Sequence, residues 1–170
     1  STQFNESVLE ATSTGYIERD QKGQSSLYNY NYWSSPVSPI NTTSNNTNYS
    51  LNDVLKDGTT TTPQNINWVS GYNGSPTSPI SIARYWLNKF DNYANEYSNW
   101  VQINENDLMR VGQGFIFKGP GATTTNQNYT FKGKPNNGTI STNTVGSDQL
   151  LLTGNPYPSA LNITTFIKDN

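Results

Sequence analysis

Residues 114–153 read GFIFKGPGATTTNQNYTFKGKPNNGTISTNTVGSDQLLLT, and their reading decides the fold class. Four short runs, Gly114–Lys118, Tyr129–Lys132, Thr139–Val145 and Gln149–Thr153, are separated by Gly-Pro-Gly at 119–121, Pro-Asn-Asn-Gly at 135–138 and Gly-Ser-Asp at 146–148. Aromatic and β-branched runs bounded by turn formers read as strands, and their close succession predicts an antiparallel meander. The pattern continues outward. Tyr28, Tyr30 and Tyr32 alternate with Asn29 and Asn31 until Ser35-Pro36 and Ser38-Pro39 end the run, placing the tyrosines on one strand face and Trp33 on the other. Ile82–Phe90 and Trp100–Ile103 are further strand candidates.

Helix signals are few. Ser50, with Asp53 three residues on, predicts a capped helix through Lys56, and Ile163, Phe166 and Ile167 share one face of a second over residues 162–168. The predicted fold is therefore all-β, an antiparallel, jelly-roll-like β-sandwich with one or two short helices as connectors. Pro156 and Pro158 turn the chain out of the last strand, Tyr157–Pro158 is a candidate cis bond, and Phe166 and Ile167 are expected to dock the terminal helix back on the sheets.

With 170 residues, the expectation is one domain over 1–170, itself a candidate fragment of a longer protein. Hydrophobic residues make up only 32%, but four Trp, eleven Tyr and six Phe can each bury a large area, so a small aromatic core suffices. The formal net charge of −2, with Lys and Arg scattered singly, provides no field for a phosphate backbone and argues against nucleic acid. The longest aliphatic run, Leu150–Leu152, is far too short to cross a bilayer. The lack of Cys removes disulfides, thiolate catalysis and cysteine zinc sites together, and the lack of His removes the commonest general base.

The residues left for chemistry are carboxylates, rings and amides. Twelve acids would always yield some pair, but none sits in a diagnostic glycosidase setting, and no Ser-x-x-Lys motif appears. No catalytic residue and no cofactor is assigned. Calcium is the one ion the sequence leaves open, with Asp91, Glu96, Glu105 and Asp107 as its weak candidate ligands, since their stretches match no known calcium loop. A sharper pattern lies between 84 and 100. Arg84, Tyr85, Trp86, Asn88, Tyr93, Asn95, Tyr97 and Trp100 combine rings that could stack on the apolar face of a sugar with amides and a guanidinium that could read its hydroxyl rim. Against this stands the alternative that Trp86 and Trp100 are core residues of the sandwich. The tyrosine stripe 28, 30, 32 is a second candidate platform, with inward packing of its rings as the alternative.

Three motifs carry a resemblance: YNYNYWSSPVSP at 28–39, GQGFIFKG at 112–119 and LLLTGNPYPSALNITTFIKDN at 150–170. In type and order they resemble a module of large secreted surface proteins of gliding Bacteroidota, which usually end in a type IX secretion sorting domain; no such domain lies within these residues. The resemblance implies export through the outer membrane and display or release at the cell surface, and it transfers no catalytic residue. Together with the composition it points to a non-enzymatic extracellular module for adhesion or carbohydrate binding, partnered by a polysaccharide or cell-surface glycan and by other domains of its parent protein. A structural stalk or spacer without a ligand is the alternative, and a polysaccharide hydrolase fragment the remote one.

Overall fold

The computed structural model describes residues 10–90, 99–142 and 144–169. Its elements run β1 (Ile17–Gln24), β2 (Tyr30–Ser34), β3 (Val37–Ser38), α1 (Leu51–Val54), β4 (Leu55–Asp57), β5 (Gln64–Asn65), β6 (Asn67–Val69), β7 (Ser81–Ala83), a 3-10 turn (Arg84–Trp86), β8 (Asn88–Phe90), β9 (Trp100–Gln102), β10 (Gly114–Lys118), β11 (Asn126–Pro135) and α2 (Ile163–Asp169). One sheet has the order β1-β11-β4-β5, with β3 on the far end of β11. The other has the order β2-β10-β8-β9, and β6 and β7 form a small parallel pair. The fold is all-β and sandwich-like, with antiparallel main sheets and two short helices. No helix among the described residues is long and apolar enough to cross a membrane.

The core follows from strand alternation. Phe115 and Phe117 of β10 and Tyr129 and Phe131 of β11 point inward, and the Trp33 ring stands edge-on between them, with centroids 5.0 Å from Phe117 and Tyr129 and 5.9 Å from Phe131. Each such aromatic contact adds about 0.5–1.5 kcal/mol beyond the area it buries. Room for Trp33 comes from Gly23, where a β-carbon would lie 2.5 Å from the indole. Leu51, Val54, Leu55, Ile82, Leu87 and Met109 are among the other residues of the core.

The meander is not formed. β10 pairs with β2 and β8, whereas β11 pairs with β1 and β4, so consecutive strands lie in opposite sheets. The connection 119–125 is an arch that crosses the sandwich, and it is laced to the neighbouring crossing from β1 to β2, which runs the opposite way. Gly119 N–H donates to the Ser26 carbonyl at 2.9 Å, Gly121 N–H to Ser25 at 2.6 Å, and Ser25 N–H to Thr125 at 3.2 Å. Residues 139–142, 144 and 145 of the expected third strand are irregular, since Thr, Asn and Ser offer no apolar face to bury. Of the expected 149–153 strand only bridge contacts remain, including Gln113 with Thr153.

Five further expectations are corrected in whole or in part. The Ile82–Phe90 strand is broken by the 3-10 turn at Arg84–Trp86, and the Ser50-capped helix ends at Val54, leaving Lys56 in β4. Tyr28 precedes β2 in a bend. The cis peptide is Ser78–Pro79, not Tyr157–Pro158. Helix α2 forms where its spacing predicts, but Ile163 and Ile167 are exposed and only Phe166 of that face is half-buried, so Ile167 does not dock as expected. The 154–158 segment does dock: Tyr157 is buried, its hydroxyl donates to the Gly138 carbonyl at 2.7 Å, and the Asn136 amide donates to the Pro156 carbonyl at 2.8 Å.

Candidate functional site

Cross-strand register fixes what the outer face of the second sheet carries. Lys118 pairs with Tyr30, and Ile116 pairs with both Tyr32 and Asn88, which in turn pairs with Gln102. Partners in register share a face, so inward Phe115 and Phe117 put Tyr30, Tyr32, Ile116, Lys118, Asn88 and Gln102 outside. At one end of this face the strip continues onto the 3-10 turn. Trp86 is its hub: the ring centroid lies 6.4 Å from Tyr30, 4.7 Å from Tyr85 and 6.5 Å from Tyr72, and its Nε1–H donates to the Tyr72 carbonyl at 2.6 Å. Lys118 Nζ sits 3.4 Å from the Trp86 centroid and 5.0 Å from that of Tyr30, a cation–π contact that fixes the hub. Tyr30 and Tyr32 are 6.4 Å apart, and Tyr72 and Tyr85 4.7 Å. Tyr32, Tyr72 and Tyr85 keep 59%, 63% and 46% of their surface in water, which is a large exposure for rings in mutual contact. At the other end the strip is closed by the C-terminal segment: Gly114 N–H donates to the Leu152 carbonyl at 2.8 Å, and a β-carbon on Gly114 would lie 2.6 Å from the Leu152 side chain.

The residues singled out in the sequence are distributed as follows. Tyr85, Trp86 and Asn88 lie on or beside the strip. Trp86 and Trp100 are both half-buried and outside the core cluster; Trp100 packs on Phe90 at 5.2 Å, away from Trp86. Arg84 does not reach the strip. Its guanidinium makes two hydrogen bonds to Glu105, at 2.7 and 3.0 Å, and one to the Trp68 carbonyl at 2.9 Å. This holds the Glu105 carboxyl below the ordinary carboxylate range and raises Arg84, the shared hydrogen bonds being the largest cause for each. Asp107, also a calcium candidate, instead closes its own turn, accepting from the Asn104 backbone at 2.9 Å and side-chain amide at 2.8 Å. Tyr93, Asn95, Tyr97, Asp91 and Glu96 lie outside the described residues.

Tyr72, Lys118 and the link between the Tyr30–Tyr32 stripe and Trp86 are absent from the sequence-level site. The only local sign of Tyr72 is its setting in Gly71-Tyr72-Asn73-Gly74, a turn that lifts a ring into solvent. Lys118 gives no sign of its role, because a lysine ending a strand usually serves solubility alone.

Chemically the strip is a surface for contact. Its rings offer apolar faces, and the Asn88 amide and tyrosine hydroxyls offer hydrogen bonds. No curated protein and no solved structure matches the chain. A family model does match, over residues 3–170, and the chain belongs to that family, described as Domain of unknown function (DUF8693).

Proposed function

We propose that this chain is a non-catalytic, extracellular carbohydrate-binding module whose contact surface is the aromatic strip of Tyr30, Tyr32, Tyr72, Tyr85 and Trp86. The observation that carries this reading is the exposure of mutually packed rings on a sheet face whose opposite side already supplies a closed aromatic core. Sugar rings stack their C–H faces on such surfaces, and neighbouring amides and hydroxyls read the hydroxyl rim. Lys118 covers one side of Trp86, so Trp86 orients its neighbours, and the exposed Tyr85, Tyr72 and Tyr32 do the stacking. The resemblance to secreted surface modules supports a place outside the cell, where such a surface meets polysaccharide.

The test is retention on a polysaccharide affinity-gel panel. The chain should be retarded by at least one polymer, and Tyr72→Ala/Tyr85→Ala should lose that retardation with its melting temperature shifted by only a few degrees, since exposed side chains contribute little to folding. Retardation that survives the double change, or none by any polymer, would leave the spacer reading in its place.

A further inference from the structure

At the edge of the sandwich, β1 and β2 are neighbours at one end and part at the other. They are tied where the Gln24 N–H donates to Asn31 Oδ1 at 2.8 Å and the Asn31 amide returns to the Gln24 carbonyl at 3.1 Å. Towards Arg19 and Ser34 they diverge, and the 154–160 segment roofs the gap, leaving a cleft of about 250 Å³. Small-ligand sites begin near about 300 Å³, so this one has the size for a single sugar residue. Arg19, Gln21, Tyr32, Trp33, Asn155 and Tyr157 are among its lining, and no Asp or Glu lines it.

Register explains the charge. Ile17, Arg19, Gln21 and Gly23 point to the inner side of β1, because Arg19 pairs with inward Phe131 and Gln21 with inward Tyr129. Glu18 and Asp20 point the other way and are occupied there, Glu18 by Lys132 at 2.9 Å and Asp20 by the Thr130 hydroxyl at 2.7 Å. The acids flanking Arg19 in sequence are thus held on the far face, and the Arg19 guanidinium makes no hydrogen bond or ion pair with a described residue. Tyr32 belongs both to this cleft and to the aromatic strip, so the two surfaces are continuous.

We propose that the cleft holds the carboxylate of a uronic acid unit, with Arg19 as its planar, two-pronged partner and Tyr32 stacking beneath the ring, so that the module selects acidic polysaccharides. This rests on the carbohydrate-binding reading above. Arg fits a carboxylate with two parallel N–H bonds, whereas the net charge of −2 opposes indiscriminate polyanion binding.

The experiment uses the full chain with polygalacturonate, alginate and hyaluronan, each beside its carboxyl-reduced neutral form, and with dextran sulfate. The expected result is that at least one uronate polymer binds about tenfold or more tightly than its reduced form, as loss of a charge-assisted hydrogen bond requires. Arg19→Gln should abolish that difference while leaving the weaker binding of the reduced polymer unchanged, and Tyr32→Ala should weaken both. Equal binding of the acidic and reduced forms, insensitive to Arg19→Gln, would overturn the carboxylate site and leave the aromatic strip standing. Binding of dextran sulfate alone would assign the cleft to sulfate and overturn it too; failure of every polymer here would overturn the uronate site, and retention on another polymer of the affinity-gel panel would then leave the aromatic strip standing.

Discussion

Tyr32 and Trp33 are consecutive, yet they lie in two aromatic clusters on opposite sides of one sheet, each built around one tryptophan, with two Phe and a Tyr inside and four Tyr outside. The inner cluster, Trp33 with Phe117, Tyr129 and Phe131, is closed over by the other sheet. The outer one, Tyr32 and Tyr30 with Trp86, Tyr85 and Tyr72, is packed almost as closely but left in water. What differs is strand parity, what opposes each side, and the hydroxyls that the outer rings carry. Density of aromatic contact is therefore no guide to role: one cluster stabilises the fold, and the other is held in shape by a cation, a backbone hydrogen bond and its own edges.

The most direct way to break that comparison is to remove one tryptophan from each side. Trp33→Ala should cost about 3 kcal/mol in urea unfolding, the low end for a large core side chain because the ring is half-buried. Trp86→Ala should cost about 1 kcal/mol yet disorganise the strip. Equal losses would show that the outer cluster is a second core.

The Arg84–Glu105 pair, beneath the turn that carries Tyr85 and Trp86, sharpens the comparison. With Arg84 37% and Glu105 12% exposed, the pair should contribute about 1 kcal/mol. The Glu105 carboxyl is held low in the folded state, so this stability is fully present above the ordinary carboxylate range and is lost as pH falls through the folded value. Melting curves of the chain and of Glu105→Gln should accordingly differ at pH 7 and converge only once the pH has fallen below the ordinary carboxylate range. A gap that persists at low pH would mean that the pair acts by packing and not by charge.

The smallest effect lies inside the inner cluster. The Tyr129 hydroxyl is buried without a hydrogen-bond partner among the described residues, and burial raises its pKa. Tyr129→Phe keeps the ring and deletes the orphan, so it should raise stability by about 0.5 kcal/mol. A loss on denaturation would show that the hydroxyl is satisfied by water.

The fold class is legible in the sequence because turn residues punctuate every ten residues or so and alternation within the runs is clear. Sheet membership is not. Gly119-Pro120-Gly121 is equally compatible with a hairpin and with an arch, and the choice was made by Ser25 and Ser26, almost a hundred residues earlier. Tyr85 and Trp86 stand out by local density, but their joining to Tyr30, Tyr72 and Lys118 is set by register and by one indole hydrogen bond, neither of which has a local signal. The Arg84–Glu105 pairing is likewise a tertiary fact, joining two residues that the sequence placed in separate candidate sites.

The laced arches also constrain the order in which the chain can fold. Gln24 pairs with Asn126 and Ile17 with Gly133, about a hundred residues apart, so the first strand has no sheet partner until the eleventh exists. Closing so long a loop is slow, and contacts of this separation form late. A chain emerging from its N-terminus would therefore carry β1 unpaired until β11 follows, while the nearer pairs β4–β5, β6–β7 and β8–β9 can form before it.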